Sequence, residues 1–371
     1  MSLNFTRQQE VFDFKKTPDC PKSILYGCYP HIEGDKFYWQ SRIPGKRTKI
    51  DCVVKGENGF EESGDIHTCL SDSLAAQNFR VFIDTRPDAP EDERYKAIGG
   101  YHVGRGAIKG NNITAERIAR SPLHQELIGC EISGDLEIVL LQDQVWPEET
   151  RLLFKDDFCH PRHANGFYIF KSPDGLRWDL YHDKPVISTF SGIEGFQMAS
   201  DNMPSIFYDH NIDEYVAYLR CNIRLGVRHV FYTKSKDLIN WDEPQLIKKD
   251  PKFDFEHENL YYMAAYPYPN SKKYIAFSPH FKNDILTKDG SQRRYYDTKT
   301  LVMVSDDRLN WRVVDEIFSD QSNGHMTQRH VISFRKEGEV YGIYVHEGFL
   351  TKENKVVRYT VDKKELDSCI I

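Results

Sequence analysis

Short apolar runs separated by polar turns recur along most of this chain, and they recur in pairs. Phe79 to Asp84 leads through a polar stretch to Arg94-Tyr95-Lys96-Ala97-Ile98, and Ser205 to Asp209 leads to Glu214 through Arg220. Ala264 to Tyr268 leads to Lys273 through Phe277, and Val331 to Phe334 leads to Val340 through Tyr344. Each pair is an apolar strand, a turn rich in Asp, Asn, Pro or Gly, and an aromatic strand with alternating character, which is the pattern of a β-hairpin. A second phrase interleaves with the first: Ser-x-Asp-x-x-x-Trp at Ser172 to Trp178, Ser235 to Trp241 and Ser305 to Trp311, with starts 63 and 70 residues apart. Each copy follows a β-rich run (Gly166 to Phe170, His229 to Thr233, Leu301 to Val304). Ser and Asp side chains bond the backbone of a tight turn, and the Trp then re-enters an apolar layer. A hairpin followed by a strand and this turn makes about four strands per unit, and such units at this spacing predict the blades of a β-propeller.

The expected fold is therefore all-β, a single five-bladed propeller over residues 1–371 with four-stranded antiparallel blades around a central funnel. The blades are expected at about 22–77, 78–190, 200–252, 257–318 and 324–371, with an insertion at about 102–160 in the second. In the degenerate first blade, Ile24 to Cys28, Lys36 to Trp39 and Ile66 to Leu70 are the strand candidates, and Ile113 to Ala119 in the insertion suits a helical turn or a loop. The tail from Val356 to Val361 is expected to pair with the N-terminal segment and close the ring, which removes exposed strand edges.

Composition narrows the partners. A net charge of −7 comes with no polybasic stripe, so neither nucleic acid nor an anionic membrane is an expected partner. No apolar run is long enough for a transmembrane helix, and the opening residues lack the apolar core of a secretion signal, which leaves the compartment open. The 8 cysteines show no C-x-x-C spacing and read as buried thiols rather than a zinc site or a disulfide framework. There is no Walker A loop, no G-x-G-x-x-G after a strand and no G-x-S-x-G elbow. No cofactor and no metal are expected; His160 and His163 are metal-like residues three apart, but without a fixed acid.

The run from Asp84 through Pro87 and Pro90 to Arg94-Tyr95-Lys96 resembles the D-x-x-P-x-x-P-x-E-R-Y-K signature of five-bladed propeller glycoside hydrolase-like proteins, in the superfold of glycoside hydrolase families 32 and 43. Ser200-Asp201-Asn202 with Phe207 to Asp209 and Tyr215 to Arg220 is similar to a second phrase of that group. Glu258 to Pro269 is similar to its next-blade segment, which more often begins with Asp. The resemblance spans about residues 78–318; the first blade and the insertion depart from the pattern.

The resemblance implies a carbohydrate substrate and a glycosidase whose carboxylates converge in the funnel, because glycosidic cleavage needs a proton donor and a second carboxylate as base or nucleophile. By that analogy Glu258 is the general acid, and Asp84 and Asp201 share the roles of base or nucleophile and tuning group. Asp84 is equally readable as a hairpin cap, a reading that Asp209 at the matching position strengthens, and Glu258 as part of a solvated acidic run with Asp254 and Glu256. Asp51 and Asp65 are the candidates for an acid from the first blade. Asn202, Arg220, His325, Arg329 and His330 are candidate substrate-binding residues at strand ends, with pairing to Asp201 as the other reading of Arg220 and an inter-blade clasp as that of the fifth-blade group. His102 and His280 are candidates for the rim, and Tyr261, Tyr262 and Tyr266 suit either blade packing or a stacking platform for a sugar. A non-catalytic carbohydrate-binding propeller, or a decayed glycosidase, is the alternative function, since a fold does not fix an activity.

Overall fold

The computed structural model describes residues 2–17, 26–41, 49–60, 64–71, 78–101, 106–109, 137–140, 166–187, 202–222, 228–249, 258–283, 295–320, 329–349, 351 and 353–370. Within them the chain forms a five-bladed β-propeller. Blade I consists of Cys28–Glu33, Lys36–Ser41, Lys49–Val54 and His67–Ser71, and blade II of Arg80–Ile83, Tyr95–Tyr101, Gly166–Ser172 and Asp179–Leu180. Ser205–Asp209, Glu214–Asn222, Arg228–Ser235 and Gln245–Leu246 make blade III. Blade IV has an inner strand in two pieces, Glu258–Leu260 and Ala264–Pro267, followed by Tyr274–Asn283, Tyr295–Ser305 and Asn310–Asp320. Blade V runs His330–Glu337, Val340–Glu347 and Lys355–Asp362, and its outermost strand is the N-terminal Thr6–Asp13. The five inner strands touch one another in a closed ring.

The N-terminal strand closes that ring as the sequence suggests. It pairs antiparallel with Lys355–Asp362, and Phe12 is buried against Phe14, Phe37 and Trp39, at the join of blades V and I. Burying one such ring contributes roughly 1.5–3 kcal/mol, and the pairing also covers what would be an open sheet edge. The apolar faces of neighbouring blades meet in the same way at each of the other joins, so each blade's core is shared with the next.

The repeated Ser-x-Asp-x-x-x-Trp phrase is a hydrogen-bonded turn between third and fourth strands. The Ser172, Ser235 and Ser305 hydroxyls accept from the amides of Gly175, Leu238 and Arg308 at 2.8–2.9 Å. One Asp oxygen accepts from two further amides in each copy, as Asp237 does from Ile239 and Asn240. The fourth residue takes a left-handed backbone, with φ of 74° at Gly175, 65° at Leu238 and 73° at Arg308. In the first and third copies its carbonyl accepts a tyrosine hydroxyl from the preceding blade: Tyr38 donates to Gly175 and Tyr218 to Arg308, each at 3.0 Å. A Cβ at Gly175 would lie 2.6 Å from the Tyr38 hydroxyl, so the first copy requires glycine there.

Four features differ from the sequence reading. The first strand of blade I starts at Cys28, after a turn at Tyr26 and Gly27, rather than at Ile24. Lys49–Val54 is a strand that the pattern hid, because Asp51 interrupts its apolar run; buried Asp51 is compensated by Ser41, Thr68 and Lys49 at 3.2, 2.8 and 2.9 Å. Lys248–Lys249, expected at the end of blade III, pairs in parallel with Asn310–Trp311 of blade IV. The chain ends in a helix, Lys363–Ile370, that buries Leu366 and Ile370. The Ile113 to Ala119 segment lies outside the described residues.

Candidate functional site

The inner strands run in one direction, and side chains tie them at matching levels. Val81 donates its amide to His31 at 3.0 Å, Asn202 reaches the Tyr261 carbonyl at 3.4 Å, Ser205 bonds Ala265, and Tyr262 donates to the Val331 carbonyl at 2.7 Å. The ring of strands therefore has two ends: a mouth where all inner strands begin, and an opposite end where they turn into the second strands. The candidates divide between these ends.

Asp84 is at the turning end. Its amide donates to the Arg94 carbonyl and its Oδ1 accepts from the Arg86 amide at 3.1 Å, as a hairpin cap does. Its Oδ2 accepts the Tyr215 hydroxyl of blade III at 2.8 Å, with the buried Lys96 ammonium 3.7 Å away. Asp209 repeats the device, accepting Tyr274 of blade IV at 2.7 Å with Arg308 at 3.3 Å. At the join of blades IV and V the C-terminal helix supplies the carboxylate instead, as Asp367 accepts from Tyr268 and Tyr341. The structure does not bring Asp84 together with Glu258. The Glu93-Arg94-Tyr95-Lys96 part of the signature serves two joints: Lys96, beside Asp84, donates to the Glu93 carbonyl at 2.6 Å, and Lys36 of blade I donates to Tyr95 at 3.1 Å across the join of blades I and II.

At the mouth, Glu258 opens the inner strand of blade IV opposite Lys282. Its carboxylate has His280 Nε2 and Lys282 Nζ each 3.7 Å away, at ion-pair rather than hydrogen-bond distance. Burial lowers the His280 pKa, with Glu258 opposing the shift. Burial pulls the Lys249 ammonium down to about 7, with Glu258 and Cys221 opposing the shift.

Beside Glu258 lies an aromatic and cationic cluster centred on Tyr261. The Arg220 guanidinium is 5.1 Å from the centre of its ring and the Arg228 guanidinium 5.7 Å from it. His330 stacks on the same ring at 5.7 Å and 27°, and packs against Phe349 at 4.7 Å. Asn202 is buried next to it, its side-chain oxygen accepting from Met203. Of the fifth-blade pair, His330 joins this cluster, whereas Arg329 leans outward between blades IV and V, 3.7 Å from Glu347 and 5.2 Å from the Phe318 ring centre.

Arg80 closes the axis below the mouth. Its guanidinium donates to the Ile332 carbonyl of blade V at 3.3 Å and lies 3.9 Å from the Met203 sulfur of blade III. It acts on Glu33 and His31 of blade I and on Tyr266 of blade IV. Burial raises the Glu33 carboxyl, with Arg80 and Arg335 opposing.

Asp201, His325, His102, His160 and His163 lie outside the described residues. Asp51 is locked in the blade I network and Asp65 is exposed. Tyr262 and Tyr266 belong to the packing around Val331 and Arg80. Sequence reasoning missed Arg80, Arg228 and Lys249. Arg80 looks like one polar position in an alternating strand, and Lys249 like half of a solvated Lys248-Lys249 pair; only register reveals either. Among the described residues no group of three or more His, Cys, Asp or Glu is arranged to hold a metal ion, and no helix is long and apolar enough to cross a membrane.

No family model matches the chain, and no curated protein matches it. Among solved structures the chain is similar to the catalytic domain of a family 62 α-L-arabinofuranosidase from Coprinopsis cinerea, at 10% identity and a TM-score of 0.49, over 97% of each chain. It is similar to an α-L-arabinofuranosidase from Fusarium graminearum at 10% identity and a TM-score of 0.45, covering 99% of this chain and 100% of that one. An N-acetylgalactosamine deacetylase from F. plautii matches at 12% identity and a TM-score of 0.37, over 79% of this chain and 91% of that one.

Proposed function

We propose that the protein is a glycoside hydrolase whose active site is the mouth where the inner strands begin, with Glu258 and Asp201 as its carboxylates. The observation that carries this reading is the gathering of Glu258, Asn202, Arg220, Tyr261 and His330 at one end of the ring, above an axis that Arg80 closes. An aromatic ring flanked by polar groups suits a saccharide end: the C–H face of a sugar packs on the ring, and the polar groups around it select the hydroxyls. Asp201, outside the described residues, immediately precedes Asn202 in the sequence, and it is proposed as the second carboxylate on that adjacency and on the resemblance alone. Asp84 has no part in this chemistry; it is a joint between blades II and III.

In the hydrolysis, one carboxyl group protonates the leaving oxygen and the other acts as base or nucleophile. Glu258 is the proton donor in this reading. Binding of carbohydrate without cleavage is the second reading. It is favoured by the Lys282 ammonium 3.7 Å from Glu258, since a nearby positive charge supports a carboxylate over its proton-bearing form.

Hydrolysis of a panel of aryl glycosides and oligosaccharides by the wild type, Glu258→Gln and Asp201→Asn separates the two. Turnover by the wild type that both folded variants lose, by a factor of about a hundred or more, supports the hydrolase. Saturable saccharide binding without turnover, unaffected by either substitution, rejects it in favour of binding alone.

A further inference from the structure

We propose that Arg80 is the positioning residue of the mouth: from the axis its guanidinium holds the bulged start of the blade V inner strand and the approach to the blade III inner strand, and so sets His330 and Asn202. This deepens the reading of the mouth as a carbohydrate site and rests on it, but not on its being hydrolytic.

Three inner strands are irregular near their starts. In blade V the register passes from Val331 opposite Val345 to Ser333 opposite Tyr344, so Ile332 is an extra residue without a partner in that register. In blade I the register slips between Cys28 and His31, and in blade IV the inner strand is broken between Leu260 and Ala264. A bulge re-aims the side chains beside it and disrupts the ladder, and a buried backbone group left there needs a bond from elsewhere. Other blades supply those bonds. The Tyr262 hydroxyl of blade IV donates to the Val331 carbonyl at 2.7 Å, and the Arg80 guanidinium of blade II donates to the Ile332 carbonyl at 3.3 Å. The same Arg80 nitrogen lies 3.9 Å from the Met203 sulfur of blade III. Met203 follows Asn202, and Ile332 is two residues after His330, so one side chain holds the backbone beside two residues of the mouth.

Arg80 is itself well fixed. It is 6% exposed, its strand pairs with the next through Ile98, and the neighbouring Val81 amide is bonded to His31 of blade I. Glu33 of blade I supplies an opposite charge, and the Tyr266 hydroxyl of blade IV also lies within its influence. All five blades therefore meet at this one side chain. A planar guanidinium with several donors serves partners in different directions at once, which the compact ammonium of a lysine does not.

Hydrogen–deuterium exchange of the full chain, without any saccharide, tests this. In folded Arg80→Ala, exchange in the segments around Asn202 to Met203 and His330 to Ser333 is expected to quicken about tenfold or more, with the Asp209 to Tyr215 turn within about twofold of wild type. Alanine leaves the place of the guanidinium empty. Methylguanidinium at about 20 mM is therefore expected to return the exchange of this variant to within about twofold of wild type, whereas methylammonium is not. Arg80→Lys keeps the charge near Glu33 but not the fork. It is expected to show the same local quickening, by about three- to tenfold, and carries the test if the alanine variant does not fold. Exchange that quickens equally at both ends of the ring, that is unchanged at the mouth, or that quickens in the alanine variant and ignores methylguanidinium overturns the proposal. An oligosaccharide that the wild type binds is expected to bind folded Arg80→Lys about tenfold or more weaker. Unchanged binding overturns the proposal and leaves the carbohydrate reading standing. Local exchange that methylguanidinium rescues, in a protein that binds no saccharide of the panel, leaves Arg80 as the holder of this end and rejects the carbohydrate reading.

Discussion

Removing the Tyr215 hydroxyl tests whether Asp84 is a joint between blades. Tyr215 is fully buried and its hydroxyl lies 2.8 Å from an Asp84 oxygen that is itself almost out of water. Burial first, and then this bond to Asp84, push the phenol pKa up, as expected of a hydroxyl that donates to a carboxylate. A hydrogen bond to a charged partner contributes about 1.5–3 kcal/mol, so Tyr215→Phe is expected to lower unfolding stability by that amount. Asp84→Asn removes the charge that faces Lys96 and weakens the same bond, and is expected to cost a similar amount. Because both substitutions remove one interaction, the double variant should lose about 1–2 kcal/mol less than the sum of the singles. Urea unfolding followed by tryptophan fluorescence provides the three midpoints. Strictly additive losses, or a Tyr215→Phe variant within about 0.3 kcal/mol of wild type, would refute the clasp. So would an Asp84→Asn variant that keeps its stability and loses all turnover.

Other expectations follow from the same geometry. Gly175→Ala places a Cβ 2.6 Å from the Tyr38 hydroxyl at a φ of 74°, and is expected to cost about 1–3 kcal/mol in the same unfolding assay, with Tyr38→Phe relieving part of it. Deleting residues 2–13 uncovers the Lys355–Asp362 edge and the pocket of Phe12; size-exclusion chromatography is expected to show aggregation or loss of the folded monomer. Buried His346 has its pKa lowered by burial from 6.5 to about 4, against the opposing bond to Asn354, so the unfolded chain binds the proton more readily. Its contribution is therefore complete above pH 6.5 and is lost as pH falls from there towards about 4, to a total of ~3 kcal/mol. His346→Gln is expected to flatten that part of the pH–stability curve, which thermal melts at a series of pH values would measure.

The parts of the fold that were legible in the sequence are those with local causes. Ser235, Asp237 and Trp241 make their bonds within seven residues, so the turn is visible as a phrase wherever it occurs. Blade I was harder to read because its strand at Lys49–Val54 keeps a buried Asp51, and the compensation comes from two other strands, through Ser41 and Thr68. The site was legible in a similar proportion. Glu258 and His330 stand at inner-strand starts and Arg220 near the end of a second strand, positions that the repeat pattern locates, and these the structure gathers near Tyr261. Asp84 and Asp209 also stand at strand ends, but at the other end of the ring, and a linear pattern does not distinguish the two. What does distinguish them is the direction of the strand: Asp84 is the residue after an inner strand, and Glu258 the first residue of one. Arg80 and Arg228 were invisible because their roles depend on partners from other blades, more than 30 residues away in sequence for the contacts to Met203, Ile332 and Tyr261.

Hydrogen–deuterium exchange with and without a bound saccharide tests most directly which end of the propeller is functional. Protection concentrated in the segments around Asn202 to Met203, Arg220, Glu258 to Tyr262 and Arg329 to Val331, with no change at Asp84 to Tyr95 or Asp209 to Tyr215, is the expected result. Protection at the Asp84 and Asp209 turns, with the Glu258 and His330 strand starts unchanged, would place the binding site at the opposite end and contradict the account.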